Sequence, residues 1–237
     1  YMFLSGNFNQ PLNNLPDNLK YLSILLTNYD YDLDYLPNGL KYLKFQFIKY
    51  NNYSNFNNLP QNLEYLYIYV YAKQKLLSLP NKIKYLDFGY YFDDDSNILD
   101  NLPNSIEELS IMIMYNVSLK NLPNSIKILT INDLFKESLD LLPNSIEELI
   151  LKGQGNINFS ILPKSITKLT LRSCYNYNVN NIIQLYNLKS LHILDYRNNI
   201  KEIDYLPDSL EYLEICEEIL INNIPPNLKK IKTTRNN

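Results

Sequence analysis

The chain has 237 residues, 46% of them hydrophobic and 20% charged, with a net charge of −3 and only five glycines. That is enough apolar material for one continuous core without a flexible linker, so a single elongated domain is expected over residues 1–237. Scattered lysines make no concentrated basic face, no apolar run reaches membrane-spanning length, and no basic-then-apolar leader opens the chain. Nucleic acid and membrane are therefore excluded as expected partners.

Read from its start, Met2-Phe3-Leu4-Ser5-Gly6 resembles the tail of a strand, so the chain is expected to begin inside a repeat array with further sequence upstream. One unit then recurs with a period of 18 to 23 residues, aligned on Pro16, Pro37, Pro60, Pro80, Pro103, Pro123, Pro143, Pro163, a degenerate Leu185, Pro207 and Pro225. It is most legible as Leu102-Pro103-Asn104-Ser105-Ile106-Glu107-Glu108-Leu109-Ser110-Ile111. Five columns are apolar: four residues before the proline (Leu12, Leu33, Leu99, Phe159), directly before it, and three, six and eight residues after it, as in Leu19, Leu22 and Ile24.

The last two columns alternate with other residues, and this period of two marks one short half-buried strand per repeat. Strands recurring about twenty residues apart must run the same way, stacked roughly 4.8 Å from one another. The predicted fold is a solenoid of short parallel strands forming one long sheet, with proline turns or 3₁₀ segments on the opposite side and few or no long helices. Proline fixes φ at the turn, and the adjacent Asn or Ser can bond nearby backbone. At Asn180 to Leu188, Asn-Ile-Ile-Gln-Leu-Tyr-Asn-Leu replaces the proline turn, so a short helical turn and a local bend are expected. The last copy, from Ile224 to Ile231, is short and basic, as suits an end repeat facing water.

Leu188-x-x-Leu191-x-Ile193 and its counterparts resemble the strand signature of leucine-rich repeats. Phe8-Asn9-Gln10-Pro11-Leu12-Asn13-Asn14-Leu15-Pro16, echoed by Phe56-Asn57-Asn58-Leu59-Pro60, resembles the defining segment of FNIP repeats, relatives abundant in slime moulds and in giant DNA viruses of amoebae. The resemblance covers essentially the whole chain and implies no catalytic residue and no cofactor. It implies protein partners, including ubiquitin-ligase components where such repeats follow an F-box, although no F-box-like segment occurs in this sequence. The asparagine that ordinary leucine-rich repeats carry three residues after the last strand leucine is replaced here by Thr27, Ile48, Tyr71, Tyr91, Met114, Leu134, Gln154 and Cys174, so no regular asparagine ladder is expected.

Candidates for chemistry are few. His192, the only histidine, sits between two strand leucine-type positions and is expected as a surface contact rather than a base or metal ligand. Glu107-Glu108 and Glu147-Glu148 recur at one repeat position, which duplication explains. Asp93-Asp94-Asp95 lacks the spacing of a calcium loop, and Gly153-Gln154-Gly155 lacks the lysine and helix of a phosphate loop. No metal site and no enzyme activity are expected. Cys174 and Cys216 lie two repeats apart, too far for a disulfide, and read as reduced thiols in a cytoplasmic protein. The sequons at Asn52, Asn116 and Asn158 read as accidents of an asparagine-rich chain.

The informative surface is the face five, seven and nine residues beyond each proline. Tyr21, Tyr42, Tyr65 and Tyr85 fill the fifth position in successive repeats, Tyr212 returns to it, and Tyr67 and Tyr69 widen the strip. Further on the same columns carry mixed charge, with Glu108, Glu148, Lys152, Lys168, Arg172 and Glu214. Tyrosine supplies rigid contact area with a polar tip, so this face is the candidate partner site; the alternative is that stacked tyrosines support neighbouring strands. A protein-interaction scaffold is the expected function, in one form the recognition part of an F-box adaptor. The alternative is a self-associating structural component of a viral particle or other assembly.

Overall fold

The computed structural model describes residues 1–50, 58–71, 79–91, 99–112, 118–132, 139–154, 158–175, 179–194 and 200–234. The chain forms two compact units, Tyr1–Ser125 and Ile126–Asn237. The first holds strands β1 (Met2–Gly6), β2 (Tyr21–Tyr29), β3 (Tyr42–Tyr50), β4 (Tyr65–Tyr71), β5 (Tyr85–Tyr91) and β6 (Glu108–Ile111). The second holds β7 (Ile128–Ile131), β8 (Glu148–Gln154), β9 (Lys168–Tyr175), β10 (Ser190–Leu194), β12 (Tyr212–Cys216) and β14 (Lys230–Thr234), with a small side pair, β11 (Glu202–Ile203) and β13 (Leu220–Ile221).

Within each unit successive strands are parallel and in register with the repeat. Leu22 faces Leu43, Leu43 faces Leu66, and Leu66 faces Leu86 in the first unit. Leu149 faces Leu169, Leu169 faces Leu191, and Leu191 faces Leu213 in the second. Every aligned copy thus delivers its strand, and Met2 and Leu4 pair with Leu22 and Ile24 as the strand end they resemble. The fold is a leucine-rich-repeat-like parallel solenoid whose helical content among the described residues is confined to 3₁₀ turns.

The core is the five-column ladder. Leu22, Leu43, Leu66 and Leu86 are wholly buried, as are Leu149, Leu169, Leu191 and Leu213, with Ile24, Phe45, Ile68 and Phe88 beside the first set. A parallel sheet of single short strands holds together because each layer covers the apolar edge of the one before it, which no repeat could do alone.

The turn shows what the proline position contributes. Its carbonyl accepts the N–H three residues on, from Leu19 to Pro16 at 3.0 Å through Leu228 to Pro225 at 3.2 Å. Leu188 makes the same bond to Leu185 at 2.9 Å. The closing bond needs only a carbonyl, so a leucine can stand there, preceded by the expected helical turn, a 3₁₀ segment over Val179–Gln184. The strand register runs through that copy unbroken, Lys168 to Ser190 to Tyr212.

Two residues past the proline position, a side chain ties several of the turns to the previous repeat. Ser105, Ser145, Ser165 and Ser209 hydroxyls donate to the carbonyls of Ile83, Ile126, Ile146 and Leu188 at 2.7–2.8 Å. Where the residue is asparagine, the amide reaches two carbonyls further back, as Asn187 to Lys164 and Asn227 to Asp208, both at 2.8 Å. The FNIP-like segment is held similarly, because Asn9 donates to Asp30 at 2.7 Å and accepts the Asp30 N–H at 3.1 Å.

Candidate functional site

In the first unit the fifth-column tyrosines lie opposite one another across β2 to β5. Tyr21 and Tyr42 stack face to face, with centroids 4.0 Å apart and an 11° interplanar angle. The next step differs. Tyr67 inserts between Tyr42 and Tyr85, at 5.1 and 4.7 Å, so Tyr65 is pushed outward to 6.3 and 6.4 Å from those rings and is 42% exposed. Tyr1 and Phe3 extend the layer onto Tyr21. Lys44 places its ammonium 5.9 Å over Tyr67 and 5.6 Å over Tyr69, a cation–π arrangement that fixes a positive charge on the strip.

Burial raises the phenol pKa of Tyr85, Tyr67 and Tyr42 above the ordinary value of 10.0; the Asp87 carboxylate adds to the rise at Tyr85 and Tyr67 and neighbouring phenols add to it at Tyr42, while hydrogen bonds from Tyr85 and Tyr42 partly offset it at Tyr67. The folded state therefore holds its phenolic protons more tightly than the unfolded chain does. Its contribution to stability is complete below pH 10 and is lost as pH rises from there toward the folded-state values. The melting temperature is expected to fall steeply above about pH 10, and a Tyr42→Phe/Tyr67→Phe/Tyr85→Phe variant is expected to flatten that slope. An unchanged slope in thermal melts from pH 8 to 11 would refute the buried-phenol account.

The middle of the strand face departs from its expected openness. Asp87, Ser110, Thr130 and Thr170 are each 6% exposed and Glu214 9%. Elsewhere in this middle column Ser23, Lys44, Tyr67, Ile150 and His192 are half-buried and Lys232 is exposed. At Asp87 the cause is steric, since a larger flanking side chain closes over it. Tyr69 donates to Asp87 Oδ2 at 2.5 Å and crosses the face above the glycine next in register, Gly89.

In the second unit Lys168, Glu148 and Glu214 of the mixed charges are paired. Lys168 meets Glu148 at 2.8 Å, while Arg172 is exposed and Lys152 half-buried. Lys230 lies 5.6 Å over the Tyr212 ring. Around His192 there is a hydrogen-bonded chain rather than a free surface contact: Nε2 is 3.0 Å from Ser190 Oγ, Nδ1 is 2.8 Å from Glu214 Oε2, and Lys232 holds the other Glu214 oxygen at 2.6 Å. The Lys232 hydrogen bond, reinforced by His192, keeps the Glu214 carboxyl below its usual range despite burial. The order serine, histidine, carboxylate has the spacing of a nucleophile relay. Ser190, however, lies in a strand laddered on both sides, to β9 and β12, so its amides are spent and offer no oxyanion pocket. Its evident role is to satisfy a nearly enclosed carboxylate.

The paired glutamates separate into two roles. Glu108 and Glu148 lie on the strand face, whereas Glu107 and Glu147 belong to a column four residues past the proline that alternates in sign. In it Lys41 pairs with Glu64, Lys84 with Glu107 at 3.9 Å, Lys127 with Glu147 at 2.9 Å and Glu211 with Lys229 at 2.6 Å. These exposed pairs set charge register more than stability. The alternation of Lys and Glu at this position was the signal in the sequence. Gly153 has φ 118° at a β-bulge in β8, so a strand irregularity, not a phosphate loop, explains it. Asn158 caps a 3₁₀ turn (Phe159–Ile161) by accepting from Ser160 N–H and hydroxyl. The Cys216 thiol is buried, 3.9 Å from the Ile193 carbonyl. Asp93 to Asp95, Asn52, Asn116 and Gly155, and the Cys174 side chain, lie outside the described residues.

No group of metal-ligating side chains occurs among the described residues, nor any helix long and apolar enough to cross a membrane. Residues 50–91, 73–112 and 115–154 match the FNIP Repeat family model. The chain is similar to CroV588, a circular leucine-rich-repeat protein of a giant virus, with 27% identity and a TM-score of 0.65 over 98% of this chain and 39% of that one. It is also similar to YopM from Yersinia enterocolitica, with 19% identity and a TM-score of 0.49 over 96% of this chain and 58% of that one. It therefore spans less than two thirds of either structure. No curated protein matches it. The repeat register, the buried leucine columns and the likeness to CroV588 agree that the chain is a leucine-rich-repeat-like solenoid, with matches to the FNIP repeat between residues 50 and 154.

Proposed function

We propose that the protein is a non-catalytic interaction scaffold that captures a protein partner through the strand face of its first unit. The observation that carries this reading is the continuous aromatic layer Tyr21, Tyr42, Tyr65, Tyr67 and Tyr85, with Tyr65 displaced outward by Tyr67 and Lys44 adding a charge beside it. Such a layer is rigid before binding, loses little entropy on contact, and presents hydroxyl tips to a partner's polar groups. Leucine-rich-repeat-like architecture, typically non-catalytic, supports the same reading.

The test compares native co-purification on wild-type and Tyr42→Ala/Tyr65→Ala protein, with quantification of captured chains and a thermal melt of each bait. The variant is expected to stay folded, losing about 0.5–1.5 kcal/mol per aromatic pair, while specific partners fall by about ten-fold or more. Unchanged capture by a folded variant would overturn the proposal. A Skp1-like chain among the lost partners would place the scaffold in a ubiquitin-ligase adaptor.

A further inference from the structure

Outside the strands, the second unit carries an unassigned apolar ridge. Two residues before the proline position, four consecutive repeats expose Leu141 (53%), Ile161 (38%), Ile183 (42%) and Tyr205 (55%), and Tyr186 (61%) stands beside Ile183. In the first unit the same column holds the polar residues Asn14, Asn58, Ser78, Asn101 and Asn121, with Tyr35 the exception. The ridge is built on firm turns. Ile161 closes the 3₁₀ segment Phe159–Ile161, and Ile183 lies within Val179–Gln184. The two turns are joined by Lys164, whose ammonium donates to the carbonyls of Ser160 and Gln184 at 3.1 Å and lies 5.9 Å over the Tyr186 ring. Four large apolar side chains in a line exceed the scattered single exposures of an ordinary surface.

We propose that this ridge docks an amphipathic helix with cationic flanks, supplied by a partner protein. Two features select that occupant. The repeats advance about 4.8 Å per layer, close to the 5.4 Å turn of an α-helix, so a helix laid along the stack keeps one apolar residue over each of four layers with a drift of only about 2 Å. The charges set in the same turns are predominantly acidic: Asp140 beside Leu141, Asp204 beside Tyr205, with its Oδ1 accepting from Asn222 at 2.7 Å, and Asp208 three residues past Tyr205, against the single cation Lys164, whose ammonium is held by two carbonyls and a ring. That balance attracts lysine or arginine flanking the partner's apolar stripe and disfavours a second copy of the same acidic ridge. The site is independent of the tyrosine strip and adds a second contact to the scaffold.

The probe is a fluorescent, lactam-bridged 18-residue peptide with leucines at positions i, i+4, i+7 and i+11 and lysines flanking them. Its controls are a scrambled peptide of the same composition and a peptide with glutamate for each lysine. Fluorescence anisotropy is expected to show saturable binding to the wild-type protein, weakened by about ten-fold or more in Ile161→Ser/Ile183→Ser, and unchanged in Tyr42→Ala/Tyr65→Ala. Both isoleucines are part-exposed, and serine alters no charge, so the melting temperature should hold; Leu141→Ser/Tyr205→Ser gives a second, independent pair. The glutamate peptide is expected to bind at least about ten-fold more weakly. Equal binding of the scrambled peptide, equal binding by both serine pairs, or no binding at all would overturn the proposal. So would concentration-dependent growth in mass of the wild-type protein that either serine pair abolishes, since the ridge would then serve a second copy.

Discussion

Phe159→Ala is expected to destabilise the second unit by about 3–5 kcal/mol, the range for emptying a large buried aromatic site. Phe159 is fully buried in a column that holds leucine in several other copies, and it opens the 3₁₀ turn capped by Asn158. Its truncation leaves a void between two turns whose backbone is already pinned by hydrogen bonds, so collapse cannot fill it. Phe159→Leu, which the other copies show to be compatible with the turn, is expected to cost no more than about 1.5 kcal/mol. Urea unfolding followed by hydrogen exchange would check both; a Phe159→Ala loss under about 1 kcal/mol would mean that the column tolerates voids. Because repeat stability is carried by each layer and its neighbours, lost protection is expected to concentrate around β8 and β9.

Gly89→Ala is expected to cost about 1–3 kcal/mol, although alanine is ordinarily better than glycine inside a strand. A Cβ built at Gly89 overlaps the edge of the Tyr69 ring at Cδ1. The ring would have to move, taking its hydroxyl from Asp87, whose enclosure makes the lost donor costly. In a Tyr69→Ala background the same change should become neutral or stabilising. Such a sign reversal in a double-mutant cycle is the readout, and an equal cost in both backgrounds would place the strain in the backbone instead.

The leucine-rich columns were legible because burial in a solenoid repeats with the sequence: what Leu22 does, Leu43, Leu66 and Leu86 must do in turn. The substituted turn at Leu185 was legible for the same reason, as its neighbours fixed where the strand had to resume. The tyrosine strip was legible as a column, but not its packing. Tyr65 and Tyr67 lie in one strand two residues apart, and which of them tucks between Tyr42 and Tyr85 depends on rings contributed by two other strands. His192 was misjudged as a plain surface contact because its partners, Ser190, Glu214 and Lys232, are spread over three strands. The turn ridge was missed because single apolar residues among Asp, Asn and Ser look incidental until consecutive turns are stacked.

The amino-acid sequence by itself therefore determined the repeat, the parallel strands, the five buried columns and the turn chemistry, since all are set by local spacing copied from layer to layer. Only the tertiary structure decided which strand-face groups are enclosed, which charges are already paired and which apolar side chains form a line. Those properties depend on side chains meeting across strands some twenty residues apart, where the length and identity of the neighbour, not its column, settle the outcome.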